Sequence, residues 1–222
     1  MACYSMHLAF AKIVNEKLKM NEKDFCVGAL AADICKKEFY TKRITHFGNE
    51  HVKVKLNEFL KKYNEKLDNP FIMGYLVHIY LDYVFFERFL SNFFDIIEGE
   101  YYSDMTSIFK EKKSGKILTA RELYSERFYN TYTNINKKLV EKYNLPAFFE
   151  ITDEDLKRYN VIDEYNVNNL LNINNEIEKF INSKEQIPEN DDIYTIDEFE
   201  EFINKYAKEF INEYENINLK AN

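Results

Sequence analysis

The chain has 222 residues, 45% of them hydrophobic and 16% aromatic, and a formal net charge of −8. That length suits one large domain, and five Gly and three Pro are too few turn residues for a sandwich or barrel, which leaves long helices joined by modest loops. The negative charge argues against non-specific binding along a nucleic-acid backbone, and three cysteines, odd in number and at no close zinc spacing, argue against a disulfide framework.

A first helix is expected over residues 5–19, SMHLAFAKIVNEKLK, with Ser5 as N-cap and an inner stripe of His7, Phe10, Val14 and Leu18. Lys12, Glu16, Lys17 and Lys19 fall at amphipathic spacing within the first 20 residues. The stretch lacks the core and cleavage site of a signal peptide, so a cytoplasmic protein is expected. Asn21 caps a second helix, 22–33, whose Gly28, Ala29, Ala31 and Ala32 permit close approach of a neighbour and whose end carries Asp33. A basic loop over 36–43 leads to Thr45-His46-Phe47 and Gly48. A third helix is expected over 49–67 with Val52, Leu56, Phe59, Leu60 and Tyr63 inward. Asn69-Pro70 is a start signal with Pro at the first helical position. It opens the longest apolar stretch, 69–94, NPFIMGYLVHIYLDYVFFERFLSNFF, read as one continuous core helix. His78, Asp82, Glu87 and Arg88 interrupt it too often for a transmembrane segment.

Beyond Gly99 the signals weaken. A short helix is expected over 101–112, a break at Ser114-Gly115, and a longer helix over 119–143 with Leu123, Phe128, Tyr132, Ile135 and Leu139 inward, stopped by Pro146. Thr152 and Asp155 have the form of a capping box for a helix over 152–159; two more helices follow over 166–182 and 195–217, the second with Thr195 and Glu198 as its box. Residues 144–222 carry 7 Lys/Arg against 19 Asp/Glu, whereas residues 1–143 carry 23 against 19. The expected fold is all-α, a multi-helix bundle around a long central apolar helix. It forms a single domain over 1–222: a metal-binding helical core, 1–145, with an acidic helical C-terminal extension, 146–222, packed on it.

His78 and Asp82, four residues apart, share one face of the central helix and point into an apolar interior. A buried Asp costs several kcal/mol unless a cation, a donor or a metal meets it. Alone, the pair reads equally as a hydrogen-bonded core pair. His7, Asp33 and His46 come from the three preceding elements, and three His with two Asp converging in a bundle suit zinc, and also iron or manganese. His51, in an Asn/Glu/Lys-rich stretch, reads as a surface residue, the cysteines as buried small apolar residues, and the acidic C-terminal region as a solvated face.

The order His … G-A-L-A-x-D … T-H-F … G-Y-x-x-H-x-x-x-D resembles the zinc-dependent phospholipase C family, related in fold to the S1/P1-type nucleases. The matching segments are Met6-His7-Leu8, Gly28-Ala29-Leu30-Ala31-Ala32-Asp33, Thr45-His46-Phe47 and Gly74-Tyr75-Leu76-Val77-His78-Ile79-Tyr80-Leu81-Asp82, so the resemblance covers roughly residues 5–95. It implies a phospholipase C-like fold and one zinc held by Asp33, His46, His78 and Asp82. Asp82 would reach toward a partial second zinc held by His7. The implied reaction is attack of a metal-activated water on phosphorus, with Asp33 as catalytic base. The implied substrate is a small phosphate ester or phospholipid head group, with no stable nucleic-acid partner.

The sequence also departs from the family. The second zinc there is completed by a processed N-terminal Trp, and this chain has no Trp. The third takes two further His, and none follows His78, which leaves only carboxylates such as Glu87, Glu122 or Glu126. Ala32 stands where many relatives have Pro. These departures motivate an alternative, a non-catalytic helical metal-binding protein with a degenerate phospholipase C-like site. An HD-type phosphohydrolase, also helical, needs an adjacent His-Asp pair, and the sequence has none.

Overall fold

The structure, a computed structural model, describes residues 3–34, 43–48, 53–181 and 192–221. Helix α1, Tyr4–Leu18, begins one residue before the expected cap, so Ser5 lies in the first turn. Its hydroxyl is turned instead to Asn136, which also accepts from the Cys3 thiol at 2.8 Å. Tyr4 donates to the Pro146 carbonyl at 3.0 Å and Lys12 to the Tyr143 carbonyl at 2.9 Å. These bonds lay α1 along the later helix Phe128–Tyr143. Helix α2, Glu22–Ala31, starts as expected at Asn21, whose side chain accepts from the Asp24 N–H at 3.1 Å.

Helix α3, Leu56–Tyr63, is much shorter than the expected 49–67 and continues only as a tight turn, Asn64–Lys66. Val54, two residues before Leu56, pairs with Gly48 in an antiparallel bridge rather than lying in a helix. Phe59 and Tyr63 are buried as expected, while Leu56 and Leu60 pack half-buried against the core. His51, Val52 and Cys35 lie outside the described residues.

Helix α4, Pro70–Val84, is capped by Asn69, which accepts from the N–H groups of Phe71 and Ile72 at 2.9 and 3.3 Å. Every residue from 71 to 82 is buried. The helix is shorter than the apolar stretch. After Val84 the chain widens into an i→i+5 turn, Phe85–Phe89, tightens over Leu90–Asn92 and enters a strand. The widened turn seats Phe85 5.9 Å from Phe128 and Phe89 4.4 Å from Phe202, ring to ring.

Strands β1, Phe94–Glu98, β2, Ile108–Glu111, and β3, Ile117–Thr119, form an antiparallel meander in the order β1-β2-β3. The helix expected over 101–112 is therefore wrong. Phe94, Phe109 and Leu118 point inward while their neighbours face out, a period-2 pattern too short to dominate the sequence. Gly99 and Gly115 supply the positive φ values, 97° and 74°, that the connections need.

From Thr119 the chain runs through one turn, Ala120–Glu122, and a second widened turn, Leu123–Arg127, into α5, Phe128–Tyr143. Then come α6, Asp153–Tyr159, α7, Ile173–Ile181, and α8, Ile196–Ala221. Both expected capping boxes form, Thr152 with Asp155 and Thr195 with Glu198. Helix α6 is tied to α2 by Lys23–Asp155 at 2.7 Å, Arg158–Asp24 at 2.8 Å and the Tyr159 phenol donating to Asp24 at 2.6 Å. Helix α8 packs on α1. The fold is mostly helical, with one small sheet. Among the described residues no helix is long and apolar enough to cross a membrane.

Candidate metal centre

Helices α2 and α4 cross where each has a glycine. A Cβ at Gly28 would sit 2.1 Å from the Phe71 carbonyl oxygen, and one at Gly74 would sit 2.0 Å from that of Phe25. Only hydrogen fits in both places, so the two backbones touch. This contact brings the Ala29 carbonyl within 2.7 Å of the His78 ring and carries the end of α2, with Asp33 in the turn just after it, beside α4.

His46 sits in the turn that ends a helical segment at residues 43–45. Phe47 takes a left-handed conformation, φ 52°, which its ring secures against Phe59, Tyr63 and Tyr75 at 5.1, 6.1 and 6.4 Å between centroids. The Gly48 N–H closes the loop on the Arg43 carbonyl at 2.9 Å. His7 comes from the first turns of α1 and stacks on His78, with ring centroids 3.7 Å apart and planes within 5°.

All five expected residues, His7, Asp33, His46, His78 and Asp82, meet in one buried cluster. Asp33 is the most open at 6%, and the other four are at 1% or less. His46 Nε2 lies 3.6 Å from Asp33 Oδ1, 3.3 Å from Asp82 Oδ2 and 3.2 Å from His78 Nε2, and His78 Nε2 lies 3.9 Å from Asp82 Oδ2. The second oxygen of Asp82 turns the other way, 3.5 Å from His7 Nε2.

The hydrogen bonds decide which groups face inward. His78 Nδ1 sits on the Ala29 carbonyl, which only accepts, so Nδ1 carries the proton and Nε2 of the neutral ring presents a lone pair. Burial is the main force holding the His78 ring neutral, well below the ordinary range, with His7 adding to it. Burial works to raise the Asp82 carboxyl, but His46 and His7 against its two oxygens outweigh it and hold it well below the usual carboxylate range. Two trios then gather, each with its ligand atoms within 4.8 Å of one another: His46, His78 and Asp82, and His7, Asp33 and His78. Acceptors at that separation repel one another unless a cation, a proton or a metal ion, sits among them. Tetrahedral zinc with bonds of about 2.0–2.1 Å holds its donors roughly 3.3 Å apart. The donor set and its spacing fit such an ion. His7, whose two buried ring nitrogens make no hydrogen bond, stands ready on the far oxygen of Asp82.

Glu87, Glu122 and Glu126 do not join the cluster. Glu87 pairs with Lys53 at 3.3 Å, Glu122 caps Thr119, and both Glu122 and Glu126 are exposed. The Cys3 and Cys26 side chains are buried. The supporting groups that sequence reasoning missed are the Ala29 and Ala32 carbonyls, which carry no side-chain signal, and Thr45 and Tyr75, which stand inside the T-H-F and G-Y-x-x-H segments. Compared with family models, curated proteins and solved structures, the chain finds no match.

Proposed function

We propose that this chain is a metal-dependent hydrolase of phosphate esters, phospholipase C-like in its chemistry, with zinc as the ion; iron or manganese suits the same donors. One observation carries the reading: in the buried interior His46 Nε2 stands 3.2–3.6 Å from His78, Asp82 and Asp33, and two trios sharing His78 have the spacing of metal ligands. Asp33, His46, His78 and Asp82 would hold the ion, and His7 with the outer oxygen of Asp82 would hold a partial second one. Bound there, the ion supplies a water of lowered pKa and a clamp on the phosphoryl oxygens. The residues supply the rest. Neutral His78 keeps its Nε2 lone pair inward, His46 turns Nε2 to the same space, Asp82 contributes charge on both sides, and Asp33, the most open of the five, accepts the proton of the attacking water as general base. Small esters or lipid head groups are the substrates in view, since the net charge of −8 repels long polyanions.

The test begins with elemental analysis of protein purified without added metal, where about one ion per chain is expected. Turnover of phosphodiester and phosphomonoester test substrates, lost in Asp33→Asn, completes it. A chain purified without stoichiometric metal would overturn the proposal. The depth of the cluster favours a second reading, metal binding without catalysis, because four of the five ligands are at most 1% exposed. Metal-loaded protein that leaves every test ester intact would select it.

A further inference from the structure

Four of the five clustered residues belong to α1, to α4 or to the turn that closes α2, whereas His46 belongs to the separate segment 43–48. That segment has to be held in place against them. Its Thr45 is fully buried, and the Thr45 carbonyl stands in the last helical turn of the segment, where carbonyls run out of partners along the helix. The phenol of Tyr75, also fully buried, donates to this carbonyl at 2.6 Å. The Tyr75 ring stacks on Phe59 with centroids 5.9 Å apart and planes within 11°, and it meets Phe47 edge-on at 6.4 Å.

We infer that Tyr75 is a positioning residue for the centre: its phenol ties the His46 turn to α4 and so sets the distance from His46 to His78 and Asp82. Residues 75, 78 and 82 fall at i, i+3 and i+7 on α4, so one stripe carries the tie and both of the groups that His46 has to meet. A backbone carbonyl only accepts, so the tie holds whatever the charge state of the cluster. Left unpaired in the interior, the Thr45 carbonyl would turn toward another donor, and His46, on the other side of the same peptide bond, would turn with it. Phenylalanine at 75 keeps the ring packing and removes only the tie. The inference rests on the metal-centre reading for its purpose, while the tie itself is a property of the chain without metal. Its loss is expected to weaken zinc binding about tenfold, the lower end of what supporting contacts around ligands contribute.

The experiment compares two variants that each lose one buried phenol-to-carbonyl bond of 2.6 Å. Tyr75→Phe loses the tie to Thr45, and Tyr165→Phe loses the bond to the carbonyl of Tyr159 on α6, which carries none of the five residues. Competition with a chromophoric chelator gives the zinc affinity. Amide hydrogen exchange on chelator-treated protein follows Phe47 and Gly48, whose N–H groups bond the Ile44 and Arg43 carbonyls at 3.0 and 2.9 Å. In Tyr75→Phe zinc affinity is expected to fall about tenfold and both amides are expected to exchange faster. In Tyr165→Phe both readouts are expected to match the unmutated chain. Where the unmutated chain binds zinc, a folded Tyr75→Phe variant in which either readout is unchanged would overturn the inference, and so would equal changes in Tyr165→Phe. If Tyr75→Phe does not fold, NMR of the unmutated chain decides: a slowly exchanging Tyr75 hydroxyl proton with a cross-peak to the His46 amide is expected, and its absence would refute the tie. Where the unmutated chain binds no zinc, faster exchange in Tyr75→Phe alone sinks the metal centre and upholds the tie.

Discussion

Asp82 sits where the two halves of the cluster join, one oxygen 3.3 Å from His46 and the other 3.5 Å from His7. Its removal is the sharpest single change available. Asp82→Asn keeps the volume but replaces one charged oxygen with an NH₂ that cannot act as a ligand, and His78→Ala removes the nitrogen that Ala29 orients. Each is expected to reduce bound metal from about one ion per chain to near zero, checked by elemental analysis after gel filtration; either variant retaining full metal would refute the assigned ligands. At this scale the sequence was informative for side chains that act by themselves. The i,i+4 spacing of His78 and Asp82 marks a polar face in an apolar run. It does not reveal that His7 stacks on His78, or that Thr45 faces His46 Nδ1, because both contacts depend on how separate elements pack.

Among the elements, the α2–α4 crossing positions the most chemistry. Gly28→Ala would place a methyl group 2.1 Å from the Phe71 carbonyl, and backbone cannot yield as a flexible side chain would. The expected cost is about 3 kcal/mol, the upper end of ordinary overpacking, read as a lower midpoint in urea. Metal affinity should fall with it, since Ala29 and Asp33 move with α2. The α6 clamp provides a pH signature of its own. Burial works to raise the Asp155 carboxyl, but Lys23 and the Thr152 cap outweigh it and hold the group below its ordinary value. A carboxyl depressed in the folded state adds stability above its unfolded pKa, and that stability is lost as pH falls through the folded value. Asp155→Asn is therefore expected to cost about 1 kcal/mol at neutral pH, with the gap to the unmutated protein closing below about pH 4. A gap unchanged down to acid pH in urea titrations would contradict this. The helix ends here were legible because caps are local: Asn21, Asn69, Thr152 and Thr195 all cap as their sequence suggests. Where the apolar run 69–94 stops being helix was not legible, since continuous Phe and Leu satisfy a helix, a widened turn and a strand equally.

Over the whole molecule, the five clustered residues come from α1, the turn after α2, the turn at His46 and α4. An ion bound to all of them ties together parts of the chain that separate on unfolding. Zinc at a hundred times its dissociation constant should add about 2.7 kcal/mol of stability. For a chain of this size that raises the melting temperature by about 5–10 °C, reversed by chelator and absent in Asp82→Asn. Thermal scans that do not respond to zinc would count against the centre. What the sequence determined by itself was local and periodic: a largely helical chain, its caps, and five polar residues placed where an apolar chain would not keep them without a partner. What only the tertiary structure decided was non-local. It turned the end of the apolar run into a sheet, brought α2 onto α4 at two glycines, and set imidazole nitrogens 3.3–3.9 Å from carboxylates. The reason is physical: propensity and capping act within a turn or two of the chain, whereas the repulsion that calls for a cation arises only once distant acceptors are packed together in the dry interior.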